Sequence, residues 1–206
     1  MIVRILPNNK VSVIDIPPDE EDRFIELNPN QGYMKVESLP PSQFECYKWD
    51  DTNKQIVLDE ECEVQHLKEY LLQQLHEYVT DYIYSYYPIE KQSADNQQKD
   101  YYGTALLLIK KNKGQTLTLD QLYVEVADNV NKLRSGQSTL QDLLASYPED
   151  ERYYWEQLVK AGLRKAWVVS CTYVFNSFKQ KIESATTLDE LRKLQANFPQ
   201  LPEFPL

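Results

Sequence analysis

Few side chains in this 206-residue sequence are suited to metal binding or general base chemistry. The two histidines, His66 and His76, are ten residues apart in a stretch whose pattern predicts one helix. Ten helical residues rise about 15 Å, so the two imidazoles cannot share a metal ion. Neither histidine lies in a His-Glu-x-x-His pattern. We therefore expect both to face solvent and to act as neither ligand nor base.

The cysteines give no clearer indication of chemistry. Cys46, Cys62 and Cys171 are far apart and odd in number, which favours neither a disulfide framework nor a zinc site. Neither Cys46 nor Cys62 has a histidine at a sequence spacing that would indicate a Cys–His pair. Cys171 lies in an apolar helical stretch without a basic neighbour within one turn, so it is expected to pack as a small hydrophobe.

Three acidic clusters, at residues 19–22, 59–61 and 149–151, are the remaining candidates for acid–base chemistry. Paired carboxylates catalyse only in a pocket that separates their pKa values, whereas acidic residues at turns and helix starts usually serve as solvated dipole partners. No nucleophile elbow, phosphate-binding loop or dinucleotide fingerprint occurs. The sequence thus predicts a protein that is not an enzyme, with no catalytic residue, metal ligand or cofactor.

Composition restricts the partners. The formal net charge of −10 argues against a nucleic-acid partner and against an anionic membrane surface. No run of about 18 apolar residues is present, and the first ten residues are too short and interrupted for a secretory signal. We therefore expect an acidic, soluble, intracellularly made protein. Its fifteen tyrosines favour surfaces that bind other proteins. Its five glycines leave few positions for phosphate-binding loops.

Residues 1–60 are predicted to form a small β domain. The β-branched runs MIVRIL and VSVIDI flank a turn that begins at Pro7. A hairpin is predicted between residues 44–49 and 55–58. The region indicates an antiparallel meander of about four to six strands, which needs a further element to pack on.

Residues 61–206 are predicted to form a helical domain, so the fold class is α+β. The first helix, over 60–86, has one apolar face and ends before Pro88. That face suits either a coiled-coil seam between chains or a helical hairpin within one chain. The polar residues 88–100 are expected to form a loop or an exposed helix start. Further helices are predicted at about 101–111, 119–134, 139–146, 149–182 and 187–195.

Local capping patterns support these helices. Capping boxes are predicted to begin at Thr118, Ser138 and Thr187, each with Gln or Glu three residues later. Gly136 is expected to end the 119–134 helix. These agreements indicate a well-defined helical region.

The C-terminal stretch, residues 153–206, contains two of the three tryptophans. Apolar residues recur at three- and four-residue steps through its long helix, which places them on one broad face. That face is either the main core or a partner surface. Prolines at every third position of the tail, 198–206, favour an extended polyproline-like conformation. Such a tail suits either a partner groove or the protein's own helices.

The same stretch resembles the ends of phage and prophage tail proteins. The resemblance rests on Ile182, Ala185, Thr186, Thr187, Glu190 and Leu191, followed by Pro199, Pro202 and Pro205. The segment YIYSYYPIEKQ at 82–92 is similar to a phrase common in such proteins. The resemblance implies either a chaperone-like tail-fibre assembly protein or a fibre- or baseplate-associated tail component.

We therefore expect a non-enzymatic interaction protein that helps attach or assemble tail fibres or baseplate components. Its partners would be other phage tail proteins, or further copies of itself in a homo-oligomer, in the virion tail or in the host cytoplasm during assembly. The residues expected to contact a partner are Trp155, Trp167, Tyr173, Phe198, Pro199, Pro202, Phe204, Tyr78, Tyr82 and Tyr86.

Two alternatives come from other functional classes. A glycan-degrading enzyme of the tail would need two carboxylates about 5–9 Å apart in a cleft. A host-directed regulatory protein encoded by a mobile element would be absent from the virion.

Overall fold

A computed structural model describes residues 1–206 and has an α+β fold with five strands and seven α-helices. The chain divides into two compact units. The first contains Met1–Gln74 and Lys179–Phe198, and the second contains Leu75–Phe178 and Pro199–Leu206. The predicted division at residue 60 separates a β region from a helical region, whereas each of these two units groups residues that contact one another.

The N-terminal strands form the predicted antiparallel meander. Strands β1 (Ile2–Ile5), β2 (Val11–Ile14) and β3 (Tyr33–Lys35) form a sheet in the order β2-β1-β3. Strands β4 (Tyr47–Asp50) and β5 (Gln55–Leu58) form a separate antiparallel hairpin. Val3, Val11 and Tyr47 are buried together, so this unit has a small core of its own.

Helix α1 (Glu21–Leu27) follows a turn at residues 18–20, so the first acidic cluster spans a turn and a helix start. Its first turn contains Glu21 and Asp22, which suits the positive end of the helix dipole. Glu21 is buried and pairs with the Met1 amino group and with Lys35 Nζ at 3.2 Å. The expectation that this cluster is merely solvated is therefore wrong for Glu21.

The remaining helices occur largely where the periodicity predicts them. They are α2 (Glu60–Tyr86), α3 (Ile89–Asn112), α4 (Leu119–Arg134), α5 (Leu140–Ala145), α6 (Glu149–Ser184) and α7 (Leu188–Ala196). Helix α3 begins about a dozen residues before residue 101, so the polar stretch 88–100 forms a helix start, which was one of the two alternatives for it. Pro88 is the N-cap of α3, with extended backbone angles, which is compatible with a proline at a helix start.

The capping predictions hold at two helices and shift by one residue at a third. Thr118 and Thr187 form complete capping boxes with Gln121 and Glu190. At α5, however, Thr139 rather than Ser138 is the N-cap, and its hydroxyl accepts from the Asp142 N–H. Gly136 has a left-handed φ of 70° just after α4, as its predicted role at the helix end requires.

The core of the second unit lies among α3, α4, α5 and α6. Its buried members are Leu106, Leu122, Val126, Val130, Leu143, Trp155, Leu158, Val159 and Leu163. Helices α4 and α6 approach closely at Gly162, where an added Cβ would lie 2.7 Å from Val130 Cγ2. None of the helices combines the length and apolar character that crossing a bilayer requires.

Candidate partner-binding surface

A ladder of tyrosines runs along the C-terminal half of α2. Tyr78, Tyr82 and Tyr86 are four residues apart and therefore lie on one face of the helix. Their ring centroids are separated by 6.5 Å and 5.2 Å along the ladder. Tyr78 and Tyr86 are 40% and 50% exposed, whereas Tyr82 between them is half-buried.

The C-terminal segment, residues 199–206, packs beside this ladder without forming a helix or strand. The indole N–H of Trp167 donates to the Pro202 carbonyl at 2.8 Å, and the Tyr82 hydroxyl donates to the same oxygen at 3.1 Å. Leu201, one residue earlier, is buried. The segment is thus held on the protein's own helices, which was one of the two alternatives for the tail.

Phe204 extends the aromatic ladder. Its ring stacks on Tyr86 at 5.3 Å and meets Trp167 edge-on at 5.0 Å. Burial, with smaller contributions from neighbouring groups that include Glu203, raises the pKa of Tyr82. The surface formed by Tyr78, Tyr82, Tyr86 and Phe204 is called the aromatic surface below.

The two predicted contact tryptophans are buried in the folded chain and are not part of its exposed surface. Trp155 is fully buried, stacks on Tyr147 at 4.4 Å and donates its indole N–H to Glu151 at 3.4 Å. Trp167 is only 4% exposed. Both rings are predicted to contact a partner, but in the folded chain they are enclosed by its own core.

The other predicted contact residues are dispersed. Tyr173 on α6 is 75% exposed and has no ring contact with the aromatic surface. Phe198 belongs to the first compact unit and Pro199 to the second, and both are half-buried. Of the ten predicted residues, the structure brings together Tyr78, Tyr82, Tyr86, Trp167, Pro202 and Phe204.

A cleft of about 590 Å³ in the second unit was not anticipated from the sequence. Asp95 lines this cleft and accepts hydrogen bonds from Arg164 Nε at 2.6 Å and from the Tyr87 hydroxyl at 2.9 Å. Burial, together with the hydrogen bond to Asp95, raises the pKa of Tyr87 to about 12. Asp95 is the only carboxylate that lines the cleft, and Arg164 already pairs with it.

The periodicity of α3 contained an indication of this buried carboxylate. Gln92, Asp95, Tyr102 and Leu106 follow the helical repeat and are all at least half-buried. The polar residue types in the first half of the helix obscured that repeat.

A second buried carboxylate comes from the acidic cluster at 149–151. Glu151 is 1% exposed, and its carboxylate forms ion pairs with Lys110 Nζ and Lys113 Nζ, each at 3.1 Å. The expectation of a solvated helix start is therefore wrong for Glu151. Its role is structural, since it joins α3 to α6 beneath Trp155.

Cys46 and Cys62 form a disulfide, contrary to the sequence-based expectation. The β4–β5 hairpin between them folds the chain back on itself, so residues 16 positions apart become neighbours. His66, one turn after Cys62, places Nδ1 3.2 Å from Cys46 Sγ and 3.5 Å from Cys62 Sγ. As predicted, His66 and His76 are exposed and Cys171 is buried.

The fold and surface together define an α+β protein with an exposed aromatic face on a helical unit. No family model, curated protein or solved structure matches the chain.

Proposed function

We propose that this chain is a non-enzymatic interaction protein of a phage tail, which helps attach or assemble tail fibres or baseplate components. The observation that carries the proposal is the aromatic surface, where Tyr78 and Tyr86 remain 40% and 50% exposed while their rings contact those of Tyr82 and Phe204. Rigid, partly exposed aromatic rings are the side chains that contribute most to binding at protein interfaces.

The C-terminal segment contributes to the proposed interface through its position. Because Pro202 is hydrogen-bonded to Trp167 and Tyr82, Phe204 is held against Tyr86 before any partner arrives. A surface that is ordered in advance loses less conformational entropy on binding. The segment therefore forms part of the aromatic surface and does not act as a free extension of the chain.

Charge indicates the type of partner. Glu203 lies within the C-terminal segment and Asp81 within the ladder region of α2, and both are exposed. The whole chain carries a net charge of −10. An aromatic patch with acidic neighbours is complementary to an apolar patch with basic neighbours on the partner. The phage assignment itself rests on the sequence resemblance at residues 182–191 and in the proline tail.

Co-expression of the full chain with the fibre and baseplate proteins encoded beside it, followed by pull-down, tests the proposal. We expect at least one tail protein to be retained. The double variant Tyr78→Ser/Tyr86→Ser should weaken that binding by about 1,000-fold, since two aromatic anchors at about 2 kcal/mol each contribute about 4 kcal/mol together.

Tyr101→Ser provides a matched control, because Tyr101 is 67% exposed and lies outside the aromatic surface. It should bind as the unmodified chain does. Retention of no tail protein would contradict the tail assignment, whereas retention that is equally strong with the double variant would contradict the aromatic surface. Mass spectrometry of purified particles then separates a virion component, which is present, from an assembly chaperone, which is absent although it binds a tail protein.

A further inference from the structure

Three potential metal ligands converge at the start of α2. Cys62 lies in the first turn of the helix, His66 follows one turn later, and Cys46 immediately precedes β4. The two Sγ atoms and one imidazole nitrogen lie within 4.8 Å of one another. Cysteine and histidine at such separations are the ligands that zinc prefers in proteins.

We propose that this cluster, once its disulfide is reduced, is a binding site for Zn²⁺ with Cys46, Cys62 and His66 as ligands. In a tetrahedral site, Zn–S and Zn–N bonds of about 2.3 Å and 2.0–2.1 Å place S and N about 3.5 Å apart. The Nδ1 atom of His66 already lies 3.2 Å and 3.5 Å from the two sulfurs. Only the two sulfurs have to separate, to about 3.8 Å, which side-chain rotation at each cysteine provides.

The loop that carries Cys46 is held in place by bonds that do not involve the disulfide. The buried carboxylate of Glu63 accepts from the Ser42 hydroxyl and from the Gln43 N–H, both at 2.6 Å. The Ser42 hydroxyl in turn accepts from the Cys46 N–H at 2.9 Å, and the Cys46 carbonyl accepts from the Asp59 N–H at 2.9 Å. Reduction therefore leaves the three ligands near one another.

The surroundings favour a divalent cation with one open position. Cys46 is buried, Cys62 is half-buried and His66 is exposed, so solvent reaches the cluster beside His66. Three protein ligands with an open position are typical of zinc sites that bind water or an exogenous ligand. Glu60, Glu61 and Glu63 add negative charge in the same helical turn. The positive end of the helix dipole favours the Cys62 thiolate.

The two forms of the cluster are related by a balanced two-electron step. A dithiol reductant supplies two electrons and two protons to the Cys46–Cys62 disulfide, which gives two thiols and an oxidised, cyclic disulfide product. Binding of Zn²⁺ then releases both thiol protons to solvent, because thiolates are the ligands. The disulfide and the metal site are therefore mutually exclusive.

Titration of the reduced full-length chain with Zn²⁺ alone tests the proposal. The protein is reduced with a phosphine, desalted without oxygen and titrated against a chromophoric chelator, and Co²⁺ serves as a spectroscopic substitute. We expect one equivalent to bind, with a thiolate-to-cobalt charge-transfer band. The oxidised chain should bind at least about 100-fold more weakly, since loss of even an outer-shell partner costs about 10- to 100-fold in affinity.

Two variants complete the test. His66→Ala should weaken Zn²⁺ binding while leaving the fold intact, because the ring is exposed. Cys171→Ser, which removes the buried cysteine of the other compact unit, should bind Zn²⁺ as the unmodified chain does. Reduced protein that keeps its circular dichroism spectrum but shows no charge-transfer band would overturn the proposal, and so would binding that Cys171→Ser abolishes.

Discussion

Glu151 shows how a buried charge is stabilised in this chain. Its carboxylate is enclosed between Lys110 and Lys113 and also receives the Trp155 indole N–H. Burial by itself would raise the pKa of Glu151, but the hydrogen bonds from Lys110, Lys113 and Trp155 and the Lys110 charge together outweigh burial and lower that pKa below its usual value. A carboxylate with a lowered pKa stabilises the fold above its unfolded-state pKa, and that contribution is lost as pH falls through the folded-state pKa.

Glu151→Gln is therefore expected to reduce the free energy of unfolding at neutral pH by about 1–3 kcal/mol, because it removes a charge-assisted pair. The variant should also lose less stability than the unmodified chain as pH falls from about 5 to about 3. Urea unfolding over this pH series measures both effects. Glu149→Gln in the same cluster is exposed and serves as the control. Parallel pH curves for Glu151→Gln and the unmodified chain would contradict this account.

The contact between α4 and α6 depends on a residue without a side chain. Gly162 has room for no Cβ, since the added atom would lie 2.7 Å from Val130 Cγ2 and 3.6 Å from Val126 Cγ1. Val130 is buried, and the χ1 freedom of its branched side chain is restricted. Glycine inside a helix costs about 1 kcal/mol relative to alanine, so the close approach of the two helices must offset that cost.

We expect Gly162→Ala to lower the free energy of unfolding by about 1–2 kcal/mol, because overpacking of about 1–3 kcal/mol exceeds the gain in helix propensity. Combining it with Val130→Ala, which removes the clashing methyl group, should recover most of the loss caused by Gly162→Ala. Chemical unfolding of the four chains in a double-mutant cycle measures this coupling. If Gly162→Ala instead raised the free energy of unfolding, α4 and α6 would be able to accommodate the added methyl group without cost, which would contradict this account.

At the scale of the whole molecule, charge governs the behaviour in solution. The chain carries 32 acidic and 22 basic residues, and its pI is about 4.8. Net repulsion keeps such a protein dispersed at neutral pH, and that repulsion disappears near the pI. The exposed aromatic side chains are then free to associate.

Dynamic light scattering should therefore show self-association that is greatest near pH 4.8 and reversible on return to neutral pH. The double variant Asp19→Asn/Glu20→Gln removes two exposed negative charges and should shift that maximum to higher pH. Circular dichroism at each pH distinguishes association of folded protein from unfolding. An unshifted maximum in the variant would contradict the role of net charge.

Local patterns determined much of the fold without reference to the rest of the chain. The bounds of α2, the capping boxes at Thr118 and Thr187, and the antiparallel strands follow from neighbours within a few residues. Such features were predictable because helix periodicity, capping and turn chemistry are short-range. For the polar first half of α3, the sequence left a loop and a helix start open, since tertiary contacts such as the Asp95–Arg164 pair determine how it packs.

The sequence by itself thus determined the α+β class, the order of most elements and the scarcity of recognisable chemistry. Only the tertiary structure decided that Trp155 and Trp167 are enclosed, that Phe204 lies on Tyr86, and that His66 lies beside Cys46. Each of these facts joins residues that are 20 or more positions apart, or depends on which face of a helix is covered. Periodicity identifies an apolar face, but only packing shows what covers it.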